Sequence, residues 1–89
     1  MKSYLYILQS LKNSSFYIGS TTDLKTRIRF HNSGFVKATR HKRPYKLVFY
    51  QEFNNIKEAQ KAERKIKSWK RRDFIEKIIK DGKLKFMGL

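Results

Sequence analysis

The chain has 89 residues, 39% hydrophobic and 33% charged, with 22 Lys and Arg against 7 Asp and Glu, for a formal net charge of +15. Such a length is one small domain, expected over 1–80 with a C-terminal tail over 81–89. The 7 Phe, 5 Tyr and 1 Trp exclude a merely disordered basic tail, and the absence of Cys excludes a disulfide framework or a Cys-ligated zinc site.

No run approaches the roughly 20 apolar residues that span a bilayer, and the N-terminal segment Met1–Leu8 lacks the form of a secretory signal. A cytoplasmic protein is expected. The charge favours a polyanionic partner, most simply DNA or RNA, and with no spanning run no membrane partner is expected. On charge alone an anionic lipid surface or a ribosome-like assembly competes. Self-repulsion argues for a monomer when nucleic acid is absent.

Residues 3–8 are almost continuously apolar, which suits a central strand buried on both faces. Asn13-Ser14-Ser15 is a turn signal, and Phe16–Gly19 reads as a second strand in an antiparallel hairpin. A Thr or Asp of Thr21-Thr22-Asp23 caps a helix from about Asp23 to His31 or Asn32, ended by Gly34 as the C′ residue. Phe35–Lys46 is a basic loop carrying Lys37, Arg40, Lys42 and Arg43, with Pro44 near its end, and Tyr45–Phe53 is a third strand. Asn55 and Glu58 have capping-box spacing before a helix that runs to about Lys70. Arg71-Arg72-Asp73 is the expected interruption before a short helix over Phe74–Lys80, and Asp81-Gly82 stops it. The order β-β-α-β-α-α predicts an α/β fold, a small three-stranded antiparallel sheet flanked by helices.

Ala59, Ala62, Ile66 and Trp69 mark the inward stripe of the long helix. Glu63 lies about 40° from Ala59 on a helical wheel, at the edge of that stripe. A carboxylate there costs desolvation unless a cation pairs with it. Two readings stand: a salt bridge to a neighbouring Lys or Arg, and a metal ligand. In the first helix Arg27 and His31 are four apart and share a face. Arg offers a planar fork of donors suited to phosphate, and His can carry a proton near neutrality. A solvated basic helix with a His near its end explains the same spacing.

Tyr4, Tyr6 and Leu8 fall on one face of the first strand, Leu5 and Ile7 on the other. Tyr17 also lies on the hairpin; most aromatics at such spacing are core, but a buried Tyr seeks a polar partner, and two of these Tyr hydroxyls converging near Arg27 would form a polar cluster. Gly19, directly after the second strand, admits a positive φ or a close approach of backbone to a ligand. Trp69 among Lys67–Arg72 is an aromatic amid cations, as on nucleic-acid surfaces and on many basic helices.

Tyr4-Leu5-Tyr6, then Tyr17-Ile18-Gly19-Ser20-Thr21-Thr22-Asp23-Leu24, then Arg27 and His31-Asn32-Ser33-Gly34 resemble the GIY-YIG nuclease superfamily, especially its small stand-alone bacterial members. These are similar to the N-terminal nuclease domain of the excinuclease C subunit. The likeness continues through Thr39-Arg40, Arg43-Pro44, Lys46-Leu47-Val48 and Ala62-Glu63 with Ile66-Lys67, covering about residues 3–75. Tyr4 and Leu5 stand where the first signature has Gly and Ile.

The resemblance implies a divalent-metal-dependent endonuclease that hydrolyses DNA phosphodiesters, structure-selective or weakly sequence-specific, with a place in repair or recombination. A non-catalytic DNA- or RNA-binding module on the same fold is the alternative. It implies Tyr6, Tyr17, Arg27, His31 and Glu63 as catalytic residues, with Glu63 holding Mg²⁺ or Mn²⁺. A Tyr is a poor base near neutrality unless its pKa is lowered, and the surrounding cations are the expected means. Nucleic-acid contacts are expected from Gly19, Arg27, Arg40, Arg43, Lys67 and Trp69. A partner protein is a candidate for targeting.

Overall fold

A computed structural model describes residues 1–82. The expected tail begins inside it, since Asp81 ends the last helix and Gly82 caps it; residues 83–89 lie outside the described part. The elements are β1 (Ser3–Ser10), β2 (Phe16–Thr21), α1 (Leu24–Ser33), a single 3-10 turn at Arg40–Lys42, β3 (Tyr45–Phe53), α2 (Ile56–Trp69) and α3 (Arg72–Asp81). The strands form one antiparallel sheet in the order β2-β1-β3. This is the α/β fold that the sequence predicts.

β1 is central because it is apolar on both faces. Leu5 and Ile7 enter a core with Ile18, Phe49, Phe53, Ala59, Ala62, Ile66 and Ile78. Tyr6 and Leu8 enter a second cluster with Tyr45, against which Tyr17, Leu24, Ile28 and Leu47 pack. Hence α1 covers one face of the sheet and α2 with α3 the other. Ala59 and Ala62, both buried, provide small side chains where α2 meets the sheet.

The pairing of β1 with β3 shifts between Ile7, opposite Phe49, and Leu8, opposite Leu47. One extra residue in β3, a bulge, reverses its side-chain alternation. Tyr45 and Leu47 therefore face α1 while Phe49 and Phe53 face α2 and α3. Regular alternation over Tyr45–Phe53 does not foresee this switch.

The caps follow local chemistry. Asp23 accepts from the Thr26 backbone N–H at 3.1 Å and its hydroxyl at 2.8 Å, and Gly34 ends α1 at φ 91°. Asn55 accepts from the Glu58 N–H at 2.9 Å. The break after α2 falls at Lys70, with φ 50°, so α3 starts at Arg72 rather than Phe74. Arg71 grips Asp73 through Nε at 3.1 Å and Nη2 at 2.7 Å, holding an acid in the first turn of α3 where the helix dipole favours it. Asn32 clamps α1 to β3, its Oδ1 accepting from the Tyr45 N–H at 2.7 Å and its Nδ2 donating to the Tyr45 carbonyl at 3.1 Å. No helix among the described residues is long and apolar enough to cross a membrane.

Candidate functional site

Tyr6 lies opposite Gly19 across the β1–β2 pair. A Cβ at position 19 would overlap the Tyr6 ring and hydroxyl. The positive-φ glycines among the described residues are Gly34 and Gly82, and what approaches the Gly19 backbone is the chain's own Tyr6 phenol, which lies over the outer strand. Tyr17 stands nearby, with ring centroids 6.4 Å apart. His31 reaches the same place from α1, its ring 4.7 Å from that of Tyr17 and 5.8 Å from that of Tyr6.

Both nitrogens of the fully buried His31 are engaged: Nε2 lies 2.9 Å from the Tyr6 hydroxyl and Nδ1 2.8 Å from Thr39 Oγ1. The Thr39 hydroxyl donates to the Val36 carbonyl at 3.4 Å. It therefore accepts from Nδ1–H, which leaves Nε2 as acceptor for the Tyr6 O–H. Burial, with Arg27 acting in the same sense, pulls the His31 pKa down to about 4. The imidazole is neutral at physiological pH, as this pattern requires.

Burial also pushes Tyr6 up to about 12. The Arg27 guanidinium acts on the same hydroxyl in the opposite direction, through a polar interaction and through its charge, but it does not outweigh desolvation; the charges of Tyr17 and Glu63 add to the rise. The expectation that surrounding cations depress this phenol is therefore corrected. A lone guanidinium at a buried hydroxyl loses to the dehydration of the phenolate.

Glu63 approaches from the other face of the sheet. Its Oε1 accepts from the Ser20 hydroxyl at 2.6 Å, and its Oε2 pairs with Lys67 Nζ at 2.7 Å. The carboxylate side chain is 20% exposed and that of Lys67 49%. The salt-bridge reading of this residue is thus realised, though its charge still acts on Tyr6. Lys67 Nζ also lies 5.8 Å from the Tyr17 ring centroid. The outer strand β2 therefore stands between a carboxylate on one side and two phenols, a guanidinium and an imidazole on the other.

Among the described residues no group of three or more His, Cys, Asp and Glu could hold a metal ion. A hard divalent ion that keeps most of its waters needs only one or two carboxylates plus substrate phosphate. Glu63 fits that demand. The ammonium on Oε2 marks a cation position, and Lys67 is exposed enough to leave it.

The other expected contacts are dispersed. Arg40 opens the 3-10 turn and is exposed. The Arg43 guanidinium lies where a side chain at Gly34 would go. Trp69 packs against the α2–α3 core, edge-on to Phe74 at 5.4 Å, and is not part of the phenol cluster. Lys67 pairs with Glu63. Nothing in the sequence marks Thr39 and Ser20 for these roles. Neither has a periodic signal, and their partners are 8 and 43 residues away in the chain.

Residues 2–78 match the family profile described as the GIY-YIG catalytic domain. A UPF0213 protein of Streptococcus pneumoniae (serotype 4, strain ATCC BAA-334 / TIGR4) is 44% identical over 71 residues, covering 79% of this chain and 71% of the relative. A UPF0213 protein of Clostridium perfringens (strain 13 / Type A) is 42% identical over 77 residues, covering 85% and 82%. The solution NMR structure of a UPF0213 protein from Bacillus halodurans superposes with a TM-score of 0.57 at 37% identity, covering 92% of this chain and 87% of that one.

Proposed function

The chain belongs to the GIY-YIG family, alongside UPF0213 proteins, and from that premise we propose that it is a divalent-metal-dependent endonuclease acting on DNA phosphodiesters. The observation that carries this reading is the Tyr6–His31–Thr39 chain of hydrogen bonds beside Arg27, separated only by the outer strand from Glu63. A basic structural protein needs no such buried relay. The +15 charge supports a nucleic-acid substrate.

Hydrolysis requires an activated water, neutralised phosphoryl charge and a stabilised leaving oxygen. Arg27 neutralises charge on the phosphoryl oxygens as it develops. Tyr6, protonated at neutral pH, accepts the water's proton only while passing its own to Nε2 of His31. Thr39 holds the imidazole in the tautomer that leaves Nε2 free to accept. Burial disfavours the imidazolium, so the proton stays there briefly and returns by the same path. Tyr17 orients the water or phosphate against the Tyr6 ring. Glu63, with the Ser20 hydroxyl beside it, would hold the Mg²⁺ or Mn²⁺. Such an ion, when bound, supplies Lewis-acid polarisation of the phosphate and charge for the leaving oxygen.

In this reading sequence preference is slight, targeting falls to a partner protein, and the chain is a cytoplasmic monomer serving repair or recombination. One observation favours the second reading, a binding module without turnover: Lys67 neutralises Glu63 without any metal. Nicking of plasmid and branched DNA with Mg²⁺ or Mn²⁺ decides. Wild type is expected to cleave, with Glu63→Gln and Arg27→Ala each reduced at least about a hundredfold. An inert wild type, or a Glu63→Gln protein that cleaves equally well, overturns the nuclease reading.

A further inference from the structure

Phe30 and Phe35 are large apolar side chains left in water, 39% and 79% exposed. They meet edge to face, 5.6 Å between centroids at 73°, and with Arg27 and Val36 they line an open pocket of about 540 Å³. Elsewhere the fold covers such rings with cations: the Arg72 guanidinium lies 4.4 Å from the Phe16 ring centroid and that of Arg71 4.7 Å from the Phe74 ring centroid. Among the described residues no cation lies over either ring of the Phe30–Phe35 pair.

The pair is held in place by backbone. Gly34 turns the chain at φ 91°, the Phe35 N–H donates to the Phe30 carbonyl at 3.2 Å, and the N–H groups of Thr39 and Arg40 donate to the Val36 carbonyl at 3.1 and 3.0 Å. The backbone therefore presents Phe35 at this place, where its ring meets that of Phe30. Arg27 belongs to two places at once, lining this pocket and acting on the Tyr6 hydroxyl. Phe30 is three residues beyond it on the same helical face.

We propose that this pocket receives an unpaired nucleobase of the strand whose phosphate Arg27 binds, making single-stranded or locally unpaired nucleic acid the preferred substrate. The placement of the phosphate rests on the nuclease reading above. A flat apolar base suits exposed, fixed aromatic rings, and stacking of this kind tolerates any sequence. A base held in a duplex stack cannot present its face to them. The adjacent guanidinium and the basic surface supply the charge that a nucleotide, unlike an apolar peptide, requires.

The test is binding of a fluorescein-labelled 12-nucleotide single strand and of a blunt-ended duplex of the same strand with its complement, both measured by anisotropy with EDTA so that no turnover enters. Phe35→Ala is expected to weaken single-strand binding about tenfold, leave duplex binding within about twofold, and Phe35→Trp to restore the single-strand affinity. Unchanged single-strand binding by Phe35→Ala, or equal loss for both probes, overturns the proposal. A self-association of the wild type that Phe35→Ala abolishes, with oligonucleotide binding unaffected, also overturns it and assigns the pocket to a second copy of the chain. Because the readout is binding alone, it fails independently of the cleavage assay that tests the nuclease reading.

Discussion

Each nitrogen of His31 has a single buried partner, and protonation disrupts the bond at Nε2, which accepts from Tyr6 in the neutral ring and must donate in the imidazolium, while the Nδ1–H donation to Thr39 persists. The folded pKa of about 4 lies below the ordinary value of 6.5, so the unfolded chain takes up the proton first. The stability that neutral His31 supports is fully present above pH 6.5 and is lost as pH falls through 4, about 3 kcal/mol across the window. Asp23 and Asp73, whose carboxyls are held below their ordinary 3.8 by Thr26 and by Arg71, act lower in pH. Urea unfolding at pH 7.5 and pH 4.5 checks this: wild type is expected to lose stability between the two, and His31→Gln to lose much less. At this scale Tyr6, Tyr17, Arg27, His31 and Glu63 could be picked out in the sequence because their spacing and resemblance mark them. The Lys67 partner of Glu63 was also open to reading, as a helical i,i+4 pair. Thr39 and Ser20 were not read this way, since a hydroxyl's role is set by the tertiary partner that arrives beside it.

β2 is the element on which the site turns. It is an outer strand, paired only with β1 among the described residues, and its Gly19 lets the Tyr6 phenol lie where a side chain would otherwise stand. Gly19→Ala is therefore expected to cost about 1–3 kcal/mol of stability by overpacking. A double-mutant cycle with Tyr6→Leu should show a coupling above about 0.5 kcal/mol. Additive effects would show that the ring does not press on position 19. The three strands and three helices follow from apolar runs, and the caps at Asp23, Gly34 and Asn55 from their residue types. The β3 bulge does not, because either face of β3 meets an apolar layer and local hydrophobicity cannot say where the alternation reverses. The end of α2 near Lys70 is legible, but the start of α3 at Arg72 rather than Phe74 is not. A lysine in the left-handed region carries no local mark, and the Arg71–Asp73 pair that opens α3 looks in sequence like more of the basic run.

At the scale of the molecule, +15 on one small domain makes electrostatics the main source of affinity for nucleic acid and makes that affinity depend on salt. Arg40, exposed at the 3-10 turn, is expected to contact phosphate. Arg40→Ala should weaken binding evenly across sequences and reduce the slope of log K against log salt by about 1, measured by anisotropy from 50 to 200 mM salt. A loss confined to one sequence would make Arg40 a base reader instead. The proposed chemistry would rest on one carboxylate shielded by Lys67 as the anchor for a divalent ion. Titration of Mn²⁺ into ¹⁵N-labelled protein, with and without a non-hydrolysable phosphorothioate strand, asks this directly. Paramagnetic broadening is expected to start at the amides of Ser20, Glu63 and Lys67 and to vanish in Glu63→Gln. Broadening that is absent, diffuse, or unchanged by that substitution would contradict a metal-bearing Glu63.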